Sequence, residues 1–320
     1  MIKDGLDKLL VCPSCKSKLK KESASYSCLD TRCSAAYPIV HGVPVFIDER
    51  NSTFRLSDYT AQGDGRHGNA SSLRKKIRAI TPRISANLVA RRNFAEFARL
   101  LLNETASPLV LIVGGAEIGA GLKELLENER LLFLETDVAI GTRTKIVCDA
   151  TYLPFRDQSV DGVIAQAVLE YIPDLERSVG EIYRVLKTDG LVYSEMPFMQ
   201  DVHGGRYDFT RLTHLGHRRL FRRFAEISSG ACAGPATALA WSIQYFLLAL
   251  GPAPLRDPIK FMTGASLFWL KYFDYVLAQT PAGLDAATGT YLLARKSNAV
   301  MTDRQLVDSY RGAVPRSGII

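Results

Sequence analysis

The sequence predicts an α/β fold: a largely parallel sheet with helices on both faces, preceded by a small unit that contains four cysteines. From residue 109 onward, short apolar runs alternate with helical stretches, which is typical of strands joined by crossover helices. Four of the six cysteines fall within the first 33 residues, whereas Cys148 and Cys232 stand alone. With 320 residues, of which 47% are hydrophobic, the chain has room for one full-size α/β domain and one small unit.

The predicted elements follow from hydrophobic periodicity. Strands are predicted at 109–113, 131–135, 146–148, 162–165, 191–194 and 290–294. Helices are predicted within 73–104, at 121–128 and 175–186, and in two very apolar segments at about 236–250 and 265–279. The resulting organisation is a compact unit at 1–48, a polar linker at 49–72, the α/β domain at 73–296 with an apolar helical insertion at about 236–280, and a loose polar tail at 297–320.

The N-terminus and the use of cysteine indicate the compartment. The first residues lack the apolar stretch of a signal peptide, and no apolar run reaches the ~20 residues that a membrane-spanning helix needs. Cysteines concentrated in one small unit suit a metal site in a reducing cytosol better than a secreted disulfide framework. We therefore expect a cytoplasmic protein.

The four N-terminal cysteines have the spacing of a metal site. Cys12, Cys15, Cys28 and Cys33 form C-x2-C-x12-C-x4-C, and two close pairs separated by a loop can surround one zinc ion tetrahedrally. Such a small unit buries little area, so metal ligation would supply much of its stability. Because protein ligands fill all four positions, the predicted Zn2+ is structural. Two disulfides and a redox-active C-x-x-C are the alternatives.

The segment after the cysteines reads Tyr-Pro-Ile-Val-His-Gly-Val-Pro-Val-Phe at residues 37–46. Together with the cysteine arrangement, it resembles the small zinc-ribbon domains of transfer-RNA methyltransferase activator proteins over about residues 6–48. The resemblance implies a ribbon that ends in this closing strand. His41 is a fifth candidate ligand, although four cysteines already suffice.

A glycine-rich loop follows the first strand predicted in the α/β domain. Residues 114–121 read Gly-Gly-Ala-Glu-Ile-Gly-Ala-Gly, and glycines here let the backbone approach a ligand closely in front of a helix N-terminus. Alone, the loop also fits a degenerate dinucleotide fingerprint or a simple tight turn. A carboxylate at the end of the second strand, Glu135 or Asp137, can bind ribose hydroxyls in an NAD enzyme or in a methyltransferase.

Three later motifs separate these interpretations. They are Asp-Ala-Thr-Tyr-Leu-Pro-Phe at 149–155, Asp-Gly-Val-Ile-Ala at 161–165 followed by Val-Leu-Glu-Tyr at 168–171, and Glu-Ile-Tyr-Arg-Val-Leu-Lys-Thr-Asp-Gly at 181–190. In this order they resemble the class I S-adenosylmethionine-dependent methyltransferases, especially the methyltransferase type 11 branch, over about residues 109–229. The resemblance implies a Rossmann-like sheet of seven strands, S-adenosylmethionine as cofactor, and methyltransferase activity.

The resemblance also implies which residues contact the cofactor. They are Gly114, Gly115, Glu117, Gly119, Glu135, Asp137, Asp149, Ala150 and Gln166. The glycine loop would lie along the methionine part, and the acids after the second strand would hold the ribose, with Asp137 preferred to Glu135. Residues 149–150 would face the adenine, and Gln166 would line the methyl-donor pocket.

Departures from the family pattern fall at the cofactor loop. The family usually has an acid where Ile112 stands and a glycine where Ala116 stands. Further along, residues 187–190 read Lys-Thr-Asp-Gly in place of Lys-Pro-Gly-Gly. The first two departures motivate an alternative in which the chain is a non-catalytic binding or scaffold protein with a degenerate cofactor pocket.

The stretch 196–211 follows the fifth predicted strand and is dense in His, Asp, Tyr and Arg. It lies over the carboxyl edge of the sheet, where ligands bind, and it resembles a segment of many of these methyltransferases that reads H-x-x-P-x-D-[YF]-x-R-[YF]-T. His203 or Asp208 is a candidate base if the acceptor must lose a proton. Alternatively, Asp208 and Arg211 pair only to brace the loop.

The leading hypothesis for the acceptor is a small molecule, a glycan or a lipid-linked intermediate, because the insertion at 236–280 is apolar. Packing as core or lid explains the same helices, and peripheral membrane contact is a further alternative. The net charge of +7 and basic runs such as 74–78 fit a ribosomal or transfer RNA methyltransferase, although solvated helix faces explain such runs as well. An NAD-dependent enzyme fits the later motifs poorly.

Overall fold

The computed structural model describes residues 5–60 and 81–313, and in these residues eleven strands form one continuous sheet. The strands are β1 (Leu19–Lys21), β2 (Ser25–Cys28), β3 (Ala36–Val40), β4 (Val43–Phe46), β5 (Leu109–Val113), β6 (Leu132–Asp137), β7 (Ile146–Cys148), β8 (Val160–Gln166), β9 (Leu186–Pro197), β10 (Phe224–Ala233) and β11 (Gly289–Lys296). Along the sheet their order is β1-β2-β3-β4-β7-β6-β5-β8-β9-β11-β10.

Seven of these strands, from β7 to β10 in sheet order, form the α/β part of the sheet. Strands β7, β6, β5, β8 and β9 pair in parallel, and β11 runs antiparallel to both β9 and β10. The predicted seven-stranded Rossmann-like sheet is confirmed. The prediction missed β10 because its sequence, FAEISSGACA, is mostly small or polar and lacks the β-branched and aromatic residues typical of strands.

Helices cover both faces of this sheet, as predicted. The helices are α1 (Ser57–Thr60), α2 (Ala90–Glu104), α3 (Leu122–Leu126), α4 (Leu175–Val185), α5 (His214–Leu220), α6 (Pro235–Leu250), α7 (Arg256–Leu267), α8 (Asp274–Leu277), α9 (Pro281–Asp285) and α10 (Asp303–Asp308). Because side chains alternate along a strand, Val110 and Ile112 of β5 pack in the same core as α2, whereas Leu111 and Val113 pack in the core that contains α4.

The N-terminal unit is joined to the α/β sheet rather than set apart from it. Strand β4 pairs in parallel with β7, so that Phe46 lies opposite Cys148. Leu10 forms a second, antiparallel bridge to Phe155. Among the described residues the sheet therefore has eleven strands, not only the seven predicted, because the ribbon pairs with the edge that β7 would otherwise leave open.

Part of the predicted linker packs on the α/β domain. Phe54 is buried in a cluster with Ile47 and Val147, and the Tyr59 hydroxyl donates to the carbonyl of Val138 at 2.6 Å. The expectation of a solvated linker is therefore corrected for residues 49–60. The remainder of the linker, 61–72, and the first residues of the predicted α/β domain, 73–80, lie outside the described residues.

The predicted polar tail is also packed where the structure describes it. Helix α10 begins after Thr302, which forms a capping box with Gln305, and its Leu306 is buried. Arg311 forms an ion pair with Glu226 of β10. The expectation of a loose tail is corrected for residues 303–313, because one buried leucine and these polar contacts hold the segment. Residues 314–320 lie outside the described residues.

The apolar insertion forms a helical hairpin. Helix α6 matches the first predicted helix, whereas the second, 265–279, is broken into the end of α7, a 3-10 turn at Leu270–Tyr272, and α8. The break lets the Asp274 carboxylate accept the backbone N–H groups of Ala236 (2.9 Å) and Thr237 (3.0 Å), which caps the N-terminus of α6. No helix within residues 5–60 and 81–313 is long and apolar enough to cross a membrane.

Candidate functional site

A cavity of about 620 Å³ opens at the carboxyl ends of the parallel strands β5 to β8, the edge of such sheets at which ligands bind. Its volume lies in the range of pockets for small molecules and cofactors. Five of the predicted cofactor contacts line it, namely Gly114, Glu117, Asp137, Asp149 and Ala150. The fold therefore brings the glycine loop, the acid at the end of β6 and the motif at 149–155 to one place.

The turn after β5 requires glycine at its first position. Gly114 has a φ of +79°, and a Cβ atom there would lie 2.6 Å from Cγ2 of Val168. The N–H groups of Gly114 and Gly115 both donate to the carbonyl of Thr136 at 2.9 Å. Gly114 thus lets the backbone turn sharply at the cavity, and Gly115 supports the turn without lining the described cavity.

The two departures from the family pattern have different consequences. Ile112 is buried among the residues that pack with α2. An apolar side chain therefore stands where the resembled family usually has an acid. Ala116 lines the cavity, and its backbone N–H donates to Oδ2 of Asp137 at 3.0 Å. Its methyl group has room because Gly141 faces it, where an added Cβ would come within 3.0 Å of the Ala116 Cβ.

The two acids after β6 have separate roles. The Glu135 side chain is buried and forms ion pairs with Arg143 and, at 2.6 Å, with Lys145. It does not line the described cavity, so its prediction as the fallback ribose ligand is corrected. Asp137 does line the cavity and also accepts the N–H of Ala139 at 2.9 Å. Of the two predicted ribose ligands, only Asp137 is placed for that contact.

The side chain of Gln166 packs against the glycine loop at Gly119 and Ala120. Nε2 of Gln166 donates to the carbonyl of Ala120 at 3.0 Å and to Oε2 of Glu195 at 3.1 Å. A Cβ atom on Gly119 would lie 2.0 Å from Oε1 of Gln166, so a larger residue there would require the amide to move. Neither residue lines the described cavity. That Gln166 lines the methyl-donor pocket stays a prediction; in the structure its amide contacts the glycine loop and Glu195.

Glu195 is a buried acid that the sequence analysis did not single out. Nδ2 of Asn87 donates to both of its oxygens, at 3.0 and 2.9 Å, and the Tyr193 hydroxyl donates to it as well. Burial raises the pKa of Glu195. It lies on β9 beneath Gln166 and so belongs to the support of the glycine loop.

Asp149 receives hydrogen bonds from two directions. The Thr151 hydroxyl donates to Oδ1 at 2.6 Å, and the Ser52 hydroxyl donates to Oδ2 at 2.7 Å. Two residues further on, Phe54 lines the cavity and stacks on Tyr207, with ring centroids 5.7 Å apart. The predicted linker thus supplies one wall of the cavity. An apolar residue inside a polar run was the sequence signal that could have identified Phe54.

Asp208 braces the loop that follows β9. Arg211 donates two hydrogen bonds to its carboxylate, and the backbone N–H groups of His203 (2.9 Å) and Gly204 (3.1 Å) donate to Oδ2. The guanidinium of Arg211 holds the pKa of Asp208 well below its usual range, which makes it a weak base. Asp208 does not line the described cavity. The prediction of a catalytic Asp208 is therefore corrected in favour of the bracing alternative.

His203 lies next to the cavity rather than in its described lining. Its ring packs edge-on against Tyr171, a lining residue, with centroids 5.7 Å apart. Its Nδ1 lies 3.1 Å from the carbonyl oxygen of Asp201, and its Nε2 lies 3.8 Å from Oε1 of Glu170. Interaction with Glu170 raises the pKa of His203.

Glu170 is the second residue that the sequence analysis missed. Its exposed fraction is 0%, and neither carboxylate oxygen has a hydrogen-bond partner among the described residues. A buried carboxyl group without a hydrogen bond is costly, and the imidazole of His203, 3.8 Å away, is placed to interact with it. An acid inside the apolar run 168–172 was the available sequence signal.

The four N-terminal cysteines converge. Their Sγ atoms all lie within 4.8 Å of one another, with 3.7 Å between Cys12 and Cys33 and 3.4 Å between Cys15 and Cys28. These separations are close to the ~3.8 Å that tetrahedral ligation with Zn–S bonds of ~2.3 Å requires. The residues therefore fit a zinc ion. His41 is exposed in the turn between β3 and β4, with a φ of +50°, and is not part of the cluster.

The cysteine cluster is connected to the motif at 181–190. Nζ of Lys16, beside Cys15, donates to Oε2 of Glu181 on α4 at 2.8 Å. Glu181 also pairs with Arg184, whose guanidinium donates to the carbonyl oxygens of Leu153 and Phe155. The acid and arginine of this motif therefore hold the 149–155 loop against α4 and the ribbon, and they do not contact the cavity.

Comparison with known proteins agrees with this architecture. Residues 125–194 match a family model described as a methyltransferase domain. Over 92 residues the chain is 33% identical to malonyl-[acyl-carrier protein] O-methyltransferase 1 of Coxiella burnetii, which covers 27% of this chain and 33% of the relative. The chain thus spans about a third of the length of that relative.

Two solved structures illustrate the structural similarity. The phosphoethanolamine N-methyltransferase 2 of Haemonchus contortus, in complex with S-adenosylmethionine, is 14% identical over 64% of this chain and 52% of its own, with a TM-score of 0.42. A chain from the complex of the Haloferax volcanii Trm112 methyltransferase activator with a methyltransferase is 19% identical over 65% of this chain and 92% of its own, with a TM-score of 0.39. Residues 125–194 are thus similar to a methyltransferase domain, and they lie in the α/β part of the sheet behind the four-cysteine unit.

Proposed function

We propose that the chain is an S-adenosylmethionine-dependent methyltransferase. The observation that carries the proposal is the cavity of about 620 Å³, lined together by Gly114 of the glycine loop, by Asp137 at the end of β6 and by Asp149 and Ala150 after β7. A nucleoside cofactor needs a close backbone approach, a carboxylate for the ribose and a flat wall for the base. All three are present at one edge of the sheet.

The cofactor would bind with its parts distributed along this edge. Asp137 would accept hydrogen bonds from the ribose hydroxyls, because its carboxylate lines the cavity at the end of β6. Ala150 and the ring of Phe54 would enclose the adenine. Glu117, which also lines the cavity, is the candidate for the amino-acid end, in place of the acid that Ile112 replaces.

Bound S-adenosylmethionine would supply a methyl group on a positively charged sulfonium, which an acceptor displaces in line. The chain contributes chiefly by positioning the acceptor and excluding water. Tyr171, which packs against His203, would line the acceptor side of the cavity, whereas Tyr207 stacks on Phe54. His203 is the candidate base for an acceptor that must lose a proton, because Glu170 would stabilise the imidazolium that forms.

The acceptor that we favour is a small-molecule, glycan or lipid-linked compound. The relative with 33% identity is named as a methyltransferase that acts at oxygen on a malonyl group attached to a carrier protein. An acceptor group presented on a carrier or a lipid would agree with an open cavity next to an apolar insertion. The aligned part is 33% of that relative, and this support concerns the class of acceptor only.

RNA as the acceptor has mixed support among the described basic residues. Arg218 is buried in an ion pair with Glu226 and is not offered to a phosphate backbone. Arg219 and Arg222 share the single exposed carboxylate of Asp303, which leaves these two arginines with a net positive charge. The basic run at 74–78 lies outside the described residues.

We also propose that the four cysteines hold one structural zinc ion. The convergence of four thiols supports this, since ligation of a metal would add to the stability that the ribbon gains from the core it shares with the α/β domain. Because all four positions would be filled by cysteine, the ion would have no open position for chemistry.

Titration calorimetry tests the proposed cofactor. We expect binding of S-adenosylmethionine and S-adenosylhomocysteine but not of NAD. Asp137→Ala should weaken binding of S-adenosylhomocysteine roughly ten- to a hundredfold, the cost of losing hydrogen bonds to a charged acceptor. The exposed Glu127→Ala serves as the matched control and should leave the affinity unchanged. A folded protein that binds neither sulfur compound would favour the non-catalytic alternative.

A further inference from the structure

The C-terminal insertion exposes an unusual amount of apolar surface. Twelve of the twenty-one large hydrophobic residues that are exposed within the described part of the chain lie between residues 239 and 277. They are Leu239, Phe246, Leu250, Leu255, Phe261, Met262, Trp269, Tyr272, Phe273, Tyr275, Val276 and Leu277. We refer to residues 235–277, that is α6, α7, the turn between them, and the segment through α8, as the apolar hairpin. Exposed clusters of this kind mark sites of interaction.

Helix α6 carries the unusual pattern most clearly. Its sixteen residues, PATALAWSIQYFLLAL, contain no charged side chain. Leu239, Phe246 and Leu250 recur at helical spacing and are exposed, whereas Ala236 and Ala240 are buried against the domain. A helix that is apolar on all sides is normally covered on all sides. Within the part of the chain that the structure describes, one side of α6 therefore lacks the cover that its composition calls for.

The charges of the apolar hairpin favour an anionic surface. Its exposed ionisable residues are Arg256, Asp257 and Lys260, and Lys271 lies half-buried with its Nζ on the carbonyl of Arg83. The carboxylate of Asp274 is buried as the cap of α6. Basic residues at the margin of an apolar, aromatic-rich helical surface are the combination found in segments that lie in the interface of a membrane.

The exposed apolar surface continues to the cavity. The hydroxyl of Tyr245 on α6 donates to the carbonyl of Val202 at 3.3 Å. Val202 belongs to the loop after β9, on which it and Met199 and Phe209 are also exposed. Two residues of the same loop, Gly204 and Tyr207, line the cavity. A compound held at the apolar hairpin would therefore lie beside the entrance of the proposed active site.

We propose that the apolar hairpin docks on the surface of a lipid bilayer that contains anionic lipids, and that the cavity receives its acceptor from that surface. The hairpin lies in the interface, since no helix of the described residues can cross a membrane. The aromatic rings of Trp269, Tyr272 and Phe273 enter the boundary between headgroups and acyl chains, and Arg256 and Lys260 contact the headgroups. The statement about the acceptor rests on the proposed function, whereas docking of the hairpin does not.

Vesicle flotation tests the docking directly. The full chain, without cofactor, is mixed with vesicles of phosphatidylcholine alone or with about 30 mol% phosphatidylglycerol, the anionic fraction that provides a negative surface. We expect strong binding only to the anionic vesicles, and weaker binding as the salt concentration rises. The double variant Tyr275→Glu/Val276→Glu, at two highly exposed positions, should bind at least roughly tenfold more weakly, because charged residues are costly in the apolar boundary.

The matched control is Val300→Glu/Val307→Glu, which changes two exposed valines outside the hairpin and should bind vesicles like the unaltered chain. Equal loss in both double variants, or no binding to anionic vesicles, would overturn the proposal. So would a dimer in light scattering that Tyr275→Glu/Val276→Glu dissociates while vesicles are not bound, since a second copy would then cover the face. Calorimetry with S-adenosylhomocysteine on each variant separates failure of docking from failure of the proposed cofactor.

Discussion

The sheet carries two additions, the N-terminal ribbon and the apolar hairpin that follows β10, and the two are attached in different ways. The N-terminal ribbon continues the sheet through β4 and β7, and its Tyr26, Tyr37 and Phe46 lie in the same core as the α/β domain. The apolar hairpin buries small residues of α6 such as Ala240, and most of its large side chains face outward. One addition completes the domain, and the other leaves a surface to be covered.

The difference shows what each addition contributes. The ribbon pairs with the edge of β7 and couples its cysteine loop to α4 through Lys16. The segment that follows it places Phe54 in the lining of the cavity and Ser52 on the carboxylate of Asp149. The hairpin adjoins the loop that contains Gly204 and Tyr207. Under the proposed function, the first addition would support the cofactor and the second would adjoin the acceptor. Four experiments test this contrast, from the largest expected effect to the smallest.

Removal of the metal should have the largest effect. Cys28→Ser should lose zinc and lower the free energy of unfolding by more than ~5 kcal/mol, because ligation supplies much of the stability of such units and the ribbon shares a core with the rest of the chain. Emission spectrometry measures the metal, and denaturant titration measures stability. Cys232→Ala, at a cysteine outside the cluster, should keep one zinc ion per chain. A Cys28→Ser variant with full zinc content would contradict the assignment.

Truncation of one phenylalanine in each addition compares them directly. Phe46 is 1% exposed and Phe246 is 64% exposed. Phe46→Ala should cost about 3–5 kcal/mol of unfolding free energy through the cavity that it creates, whereas Phe246→Ala should stay within about 0.5 kcal/mol. Urea denaturation of both variants measures the contrast. If Phe246→Ala proved as costly as Phe46→Ala, the hairpin would be packed rather than exposed.

Substitution of Phe54 or Ser52, in the segment that follows the ribbon, should weaken binding of the cofactor. Phe54→Ala should weaken binding of S-adenosylhomocysteine about tenfold by removing an aromatic wall. Ser52→Ala should weaken it severalfold by removing one hydrogen bond to Asp149. Arg55→Ala, at an exposed residue of the same segment, is the control for calorimetry. Unchanged affinity in Phe54→Ala would show that this wall does not contact the cofactor.

Glu170→Gln should change the titration of His203. Glu170 raises the pKa of His203, so its removal should move the pKa down, as followed by NMR of the imidazole protons. A raised folded-state pKa contributes stability below the unfolded-state pKa, near 6.5, and that contribution is lost as the pH rises through the folded-state pKa. Glu170→Gln should therefore flatten this part of the stability profile. Glu176→Gln, at an exposed acid on α4, should leave the titration of His203 as it was.

Features with a local cause could be predicted from the sequence. The strands at 109–113 and 146–148 were predicted with their observed bounds, because buried parallel strands are short apolar runs. The helix predicted at 175–186 agrees with α4 to within one residue. The spacing of the four cysteines indicated a cluster, and they converge as expected. Each of these follows from residues that are close together along the chain.

Among the cofactor residues, local patterns located the edge but not every contact. Asp137, Asp149 and Ala150 line the cavity, since they end parallel strands whose carboxyl ends share one edge. Gln166 ends β8 and Glu135 lies two residues before the end of β6, yet each is engaged elsewhere, by Glu195 and by Arg143 respectively. Their partners are set by packing across the sheet, which no local pattern encodes.

By itself the sequence determined the order of strands and helices, the cysteine cluster and the carboxyl edge at which the motifs meet, because periodicity and spacing act over a few residues. Only the tertiary structure decided that the ribbon extends the sheet, that Phe54 lines the cavity while Ser52 contacts Asp149, and that Glu170 lies next to His203. Only the structure also decided which apolar residues of the hairpin remain uncovered. These facts depend on contacts between distant parts of the chain, where burial and pairing outweigh local preference.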